Sequence, residues 1–184
     1  MQQSLIFLKS FLNSPKAVGS VVPSSRYLVN VIVSGIDWPT LGSVAELGAG
    51  TGVVTDAIDR QRSRDSEFLV FESDRSMRAA LEKRYDAVSV HDNAFELRTV
   101  MDSRGLSGLD CIVSGLPFVN FSQADRTFLL KEFHDLLNPG GIFVALQFSR
   151  NIRPDLKSLY DEMKMSHVWA NVPPAYVYHC RRAR

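Results

Sequence analysis

Cysteine is scarce in this 184-residue chain, with Cys111 and Cys180 the two present. They lie far apart and form no Cys-x-x-Cys pair, which argues against a disulfide framework and for reduced surroundings, with Cys111 as a small buried hydrophobe. Surplus charge is lacking too. Lys and Arg number 21 against 20 Asp and Glu, a net charge of +1, which is less than a strongly basic nucleic-acid binder carries. No apolar run approaches the ~20 residues that cross a bilayer. No basic stretch precedes Leu5-Ile6-Phe7-Leu8, and Lys9 interrupts that run, so no secretory signal is expected. Repeats and low-complexity stretches are missing. No Cys/His cluster points to a metal, and no serine sits in a nucleophile elbow. These absences predict a cytoplasmic protein, in solution or peripheral on the inner face of the membrane.

What is present is an apolar chain, 45% hydrophobic, with room for one sizeable core. Strand-like runs rich in Val, Ile and Phe fall at about 43–48, 67–73, 87–91, 109–114 and 141–148. Helical segments are read between them at about 52–61, 75–85, 94–103, 123–137 and 153–164. Strands without polar alternation suit a parallel sheet buried on both faces. Asn138-Pro139-Gly140-Gly141 is read as a helix stop and turn. Residues 167–172 and 175–180 read as two further strands, an antiparallel pair at one sheet edge. The chain is therefore expected to be α/β, with residues 1–41 as an N-terminal helical extension and 42–184 as the main domain.

The segment Val44–Val54 reads VAELGAGTGVV. Gly48, Gly50 and Gly52 follow the first strand and open a helix. Glycine there permits a sharp turn and a close backbone approach to a ligand, and the helix start offers free N–H groups. The spacing is G-x-G-x-G, not the G-x-G-x-x-G of dinucleotide binders. Glu46, two residues before the first glycine, would repel a pyrophosphate and suits a cationic ligand end. Glu72 ends the second strand, 20 residues after Gly52, where an acid can accept from both hydroxyls of a ribose. An adenosine with a cationic tail fits S-adenosylmethionine better than NAD. A tight strand–helix turn with two solvated acids is the plainer alternative. The third strand ends in His91-Asp92-Asn93-Ala94. Asp92 or Asn93 could accept from an adenine amino group and the Ala94 N–H could reach a ring nitrogen; Asp92 could also simply cap the next helix.

The E-L-G-A-G-T-G run with Glu72 downstream resembles the cofactor motif of class I S-adenosylmethionine-dependent methyltransferases over residues 43–150. That resemblance implies a Rossmann-like, seven-stranded, mostly parallel sheet with an antiparallel C-terminal strand and helices on both faces. It implies a cofactor set of Glu46, Gly48, Ala49, Gly50, Thr51, Gly52, Glu72, Ser73, Asp92, Asn93, Ala94 and Ser114. The fourth strand runs into Ser114-Gly115-Leu116-Pro117-Phe118. Gly115 stands where the rRNA dimethyladenosine transferases, a related family, carry an Asn that grips the target amine; its loss would leave that amine short of a partner at a cost of ~1–3 kcal/mol. Backbone carbonyls of Gly115 or Leu116 could accept instead.

S-G-L-P is similar to the loop of bacterial phospholipid N-methyltransferases, which act on phosphatidylethanolamine. So are Phe7–Pro15 and Val18–Arg26, Leu137–Gly141, Gln147–Ser149, Asn171–Ala175 and Val177-Tyr178. The third-strand motif departs from that family's Gly-Asp-Ala. This resemblance implies a lipid amine as acceptor, a catalytic loop of Gly115, Leu116, Pro117 and Phe118, and Tyr178 as first candidate for the proton path, ahead of Tyr176, His179 and His91. On a helical wheel Leu5, Phe7, Leu8, Phe11 and Leu12 share an arc of roughly 160°, with Lys9 and Lys16 outside it. Such a helix could lie on a membrane or pack on the protein's own core. Arg150, Arg153, Arg181, Arg182 and Arg184 could meet lipid or nucleic-acid phosphates. The rival readings are an adenine N6-methyltransferase, a non-catalytic cofactor-binding module and, more distantly, a nicotinamide oxidoreductase. Nucleic acid is disfavoured by Gly115, and oligomeric state is left open.

Overall fold

The computed structural model of the chain describes residues 25–184. Helix α1 (Arg26–Val33) starts at Ser25, whose hydroxyl accepts from the Leu28 N–H. There follow β1 (Ser43–Leu47), α2 (Val53–Asp59), β2 (Glu67–Phe71), α3 (Arg75–Arg84), β3 (Ser89–His91), α4 (Leu97–Ser103), β4 (Leu109–Ser114) and α5 (Gln123–Leu136). The chain ends with β5 (Leu137–Gln147), α6 (Arg153–Leu159), β6 (Glu162–Val168) and β7 (Ala175–Arg181).

All seven strands form one sheet in the order β3-β2-β1-β4-β5-β7-β6. The pairs from β3 to β5 are parallel, and β7 runs antiparallel to both β5 and β6. This is the Rossmann-like arrangement that the sequence predicts. Side chains alternate across the strands and build two apolar layers. Ala45, Leu47, Ile112 and Phe143 face one way, against Leu97 of α4, Phe133 of α5 and Leu156 of α6. Val44, Val70, Val113 and Val144 face the other, against Ile32 of α1, Ile58 of α2 and Leu81 of α3. The strand order reverses between β1 and β4. Connections depart there in opposite directions and leave a crevice at the strands' carboxyl ends, where ligands of such sheets bind.

Three sequence expectations shift. First, Asn138-Pro139-Gly140-Gly141 lies within β5, not in a free turn. Leu109 pairs with Leu137 but Cys111 with Ile142, so the extra residues bulge out of the ladder. Pro139 has no N–H to pair and Gly140 takes φ 79°. The bulge is held by Asn138 Nδ2, which donates to Asp110 Oδ1 at 2.7 Å. Second, the helix expected over 153–164 stops at Leu159, and β6 begins at Glu162, five residues before the strand expected at 167. Met163, Met165 and His167 alternate with Lys164 and Ser166, a period of two that suits an edge strand. Third, the side chain that caps the turn after β3 is Asn93, not Asp92: Asn93 Oδ1 accepts from Phe95 N. The amphipathic segment read over residues 5–12 lies outside the described residues. Among the described residues no helix is long and apolar enough to cross a membrane.

Candidate active site

The turn after β1 is built by glycine. Gly48, Gly50 and Gly52 all have positive φ (82°, 58° and 82°), a region that side chains disfavour. The Gly48 and Ala49 N–H groups both donate to Phe71 O, at 2.8 and 3.1 Å, which pulls the turn over the end of β2. Glu72 then ties it down. Its Oε2 accepts from Gly50 N at 2.6 Å and its Oε1 from Asp74 N at 2.8 Å. One carboxylate thus bridges the two loops that follow β1 and β2. Each oxygen keeps a further lone pair for a ligand. Gly48 and Thr51 are exposed, Gly50 is half-buried, and a Cβ placed on Gly50 would meet nothing within 4 Å. The turn therefore presents open backbone to the crevice.

Beneath it lies Glu46, 3% exposed, with Oε2 lacking any hydrogen-bond partner. Burial pushes its carboxyl up to about 7; the adjacent Thr55 hydroxyl opposes this, and the negative charges of Glu72 and Asp56 add to it. Thr55 Oγ1 is itself buried, near enough to act on the Glu46 carboxyl but without a well-formed hydrogen bond. An acid held in this state under an open turn gains most from a cation.

The crevice's second wall is the loop after β4. Gly115 N donates to Leu47 O at 2.8 Å, and a Cβ on Gly115 would sit 3.0 Å from Gly48 O. The two loops thus touch backbone to backbone at two exposed glycines. Ser114 is fully buried and its hydroxyl accepts from Leu116 N. Gln147, the amide that ends β5, donates from Nε2 to Leu116 O at 2.8 Å. The motifs give Gln147 no site role, although an amide inside IFVALQF is a signal, because a buried amide must find partners.

Other expected site residues scatter. Phe118 is fully buried, edge-on to Phe121, and packs in the core instead of lining the crevice. Leu116 is buried and Pro117 exposed. Tyr178 is fully buried with an unpartnered hydroxyl, and burial raises its pKa above the usual value of 10; that placement holds it as a neutral phenol, a poor proton acceptor. His179 is engaged elsewhere: its Nε2 lies 3.0 Å from Ile32 O, so that nitrogen carries the proton and the ring holds α1. Tyr176 stacks on His167 and lies under Arg150. His91 stacks on Phe71 at the end of β3, and burial lowers its pKa. Ser73 and Asp92 are exposed beside the crevice, while Ala94 is buried.

A parallel sheet with a reversal point, a G-x-G-x-G turn over the first strand and an acid ending the second define the S-adenosylmethionine-dependent methyltransferase class. Residues 45–143 match the family described as Methyltransferase domain, and the chain belongs to that family. Its cofactor is S-adenosylmethionine. The chain is also 30% identical, over 98% of its own length and 97% of the relative's, to an ornithine lipid N-methyltransferase of Singulisphaera acidiphila. Among solved structures it is similar in fold to a precorrin-6y C5,15-methyltransferase of Geobacter metallireducens (TM-score 0.69, 14% identity, 90% of this chain and 93% of that one). It is similar also to a 1,6-didemethyltoxoflavin-N1-methyltransferase of Burkholderia thailandensis, solved with S-adenosylhomocysteine (TM-score 0.67, 15% identity, 99% and 88%).

Proposed function

We propose that the chain transfers a methyl group from S-adenosylmethionine to the amine of a lipid headgroup. The observation that carries this reading is the contact between Gly48 and Gly115. At the position where an adenine-modifying enzyme holds a target base with an Asn side chain, a Cβ would press on Gly48 O at 3.0 Å. The crevice accepts its substrate along bare backbone, which suits a slim aliphatic amine better than a flat base. The near full-length likeness to an ornithine lipid N-methyltransferase supports the same acceptor class, as does the resemblance of SGLP to the phospholipid N-methyltransferases.

In this reading Glu46 would face the cofactor's ammonium end, the open backbone of Gly48, Ala49, Gly50, Thr51 and Gly52 would hold its amino-acid portion, and Glu72 would accept from its ribose. Asp92, Asn93 and Ala94 would hold the adenine. When bound, S-adenosylmethionine would supply an electrophilic methyl group, to which the amine lone pair would bond as the carbon–sulfur bond breaks and its electron pair returns to sulfur; the new ammonium would then shed a proton. A primary amine with a lysine-like pKa is neutral in only about one part in a few thousand at pH 7. Stripping water from the ammonium therefore contributes to the rate, and orientation does the rest.

The test is methyl transfer from labelled S-adenosylmethionine to phosphatidylethanolamine vesicles, to ornithine lipid, to total rRNA and to buffer alone. Label is expected in one or both lipids, and the two lipid arms assign the headgroup. Label in rRNA alone overturns the reading in favour of adenine methylation. Tight cofactor binding with no turnover in any arm overturns it in favour of a non-catalytic module.

A further inference from the structure

Six large apolar side chains are exposed among the described residues: Tyr27, Val119, Phe128, Phe148, Trp169 and Val172. Scattered singly they would need no explanation, but five of them share one edge of the sheet. Val119 follows β4, Phe148 follows β5, and Trp169 and Val172 lie between β6 and β7. Since β4, β5 and β6 point the same way, these positions all fall at the strands' carboxyl ends, the edge at which Gly48 and Gly115 are open. Tyr27 joins them, because Ser25 N donates to Asn171 Oδ1 at 3.0 Å and brings the first turn of α1 to the β6–β7 connection.

The most exposed ring is held from below. Arg150 lies over Tyr176 at 5.7 Å, Tyr176 stacks on His167 at 4.3 Å, and His167 meets Trp169 at 3.9 Å. This column holds Trp169, which stays 73% exposed. A ring that leaves water only on binding loses little conformational entropy when it is already fixed. Arg26 at the start of α1, Arg150 over Tyr176 and Arg153 at the start of α6 are all exposed, none with an acidic partner among the described residues. Protruding Trp and Tyr side chains beside unpaired arginines match the chemistry of a headgroup layer over anionic lipid.

We infer that this rim, centred on Trp169 and Val172 with Phe148, Tyr27 and the three arginines beside it, is the surface that seats the protein on a bilayer with the crevice facing the lipid. The inference rests on the lipid-headgroup reading for the reason the rim and the crevice share an edge. Every residue of this rim lies beyond the first 24.

The two tryptophans make it directly testable. Trp38 is buried, with Nε1 donating to Val33 O, so a change on binding reports Trp169. Full-length protein is mixed with vesicles of phosphatidylglycerol and phosphatidylcholine. The expected result is a blue shift of emission, quenching by brominated acyl chains, and weaker binding as salt rises. The double variant Trp169→Ser/Val172→Ser should keep its far-UV dichroism and lose about tenfold in vesicle affinity. Should that variant misfold, Arg150→Glu tests the same surface through its charge and should weaken binding to anionic vesicles. Emission that does not respond to vesicles overturns the inference. So does emission already blue-shifted and shielded from acrylamide before vesicles are added, which would mean that the first 24 residues or a second copy covers the rim; sedimentation tells those two apart. Methyl transfer to a short-chain amine lipid below its micelle concentration should be unchanged in the double variant, while transfer on vesicles falls. Transfer to lipid with a silent Trp169 sinks the surface alone; a responsive Trp169 with no lipid methylated leaves the surface and sinks the acceptor.

Discussion

Glu46 is the residue whose chemistry is most constrained. Its carboxyl ionises near 4.5 when the chain is unfolded and at about 7 in the folded, cofactor-free protein. The folded state therefore binds the proton more firmly. Its contribution to stability is fully present below pH 4.5, declines as pH rises to about 7, and is flat beyond, a loss on the order of 3 kcal/mol. A cationic ligand end reverses the balance by favouring the carboxylate. Cofactor binding at pH 6 should thus release up to one proton and tighten as pH rises toward 7. Calorimetry in two buffers of different ionisation enthalpy reads that proton count. Glu46→Gln should abolish the release and flatten the stability profile; a buffer-independent binding enthalpy in the wild type would separate Glu46 from the ligand. Glu72 is the second such residue. Glu72→Ala removes both loop ties, so cofactor affinity should fall by ~1–3 kcal/mol and the Gly50 and Asp74 amides should exchange faster in the free protein.

At the scale of elements, the glycine turn and α2 divide their work between neighbouring glycines. Gly52 is the left-handed cap of α2, and a Cβ there would fall 2.7 Å from Leu81 Cδ2, a buried side chain of α3. Gly50 has the same left-handed backbone but open space where a Cβ would go. Gly52→Ala should therefore cost about 1–3 kcal/mol of stability in urea unfolding. Gly50→Ala should lose less stability and instead weaken cofactor binding, read by the same calorimetry; equal stability losses would show that backbone strain alone matters. The sequence showed this turn readily, because three glycines after a strand have a local meaning. Glu72 was legible for the same reason, at a fixed spacing after the turn. What was hidden depended on partners far along the chain. The bulge of Pro139 and Gly140 is held through Asn138 by Asp110, 28 residues before that asparagine. Phe118 and Tyr178 looked like site residues from their motifs, and tertiary packing placed both rings in the core. The start of β6 escaped because Arg153–Leu159 and Met163–His167 each carry a short periodic pattern, and no glycine marks the border at Tyr160.

Over the whole molecule, the sheet is extended past β5 by two strands whose outer layer is completed by α1. Leu28 and Ile32 seal Val168, Ala175 and Val177 from water. Among the described residues, three hydrogen bonds fasten the helix: Ser25 N to Asn171 Oδ1, His179 Nε2 to Ile32 O, and Trp38 Nε1 to Val33 O. The first of these also shapes the rim beside the crevice, since buried Asn171 donates from Nδ2 to Pro173 O at 2.8 Å. Asn171→Ala removes both of these part-buried hydrogen bonds, a loss of about 0.5–1.5 kcal/mol for each. For a chain of this size each kcal/mol lowers Tm by roughly 2–4 °C. The melt should therefore move down by several degrees. Amides of Leu28 and Val29 should exchange faster than those of β1 and β4, because one helix end is released while the central strands keep both layers. Asn171→Asp, which retains the acceptor for Ser25 N but turns a carboxylate toward Pro173 O, should fall between the two. A melt and exchange pattern unchanged in Asn171→Ala would mean that the apolar contacts of Leu28 and Ile32 hold α1 unaided, and the link between that helix and the rim would be geometric only.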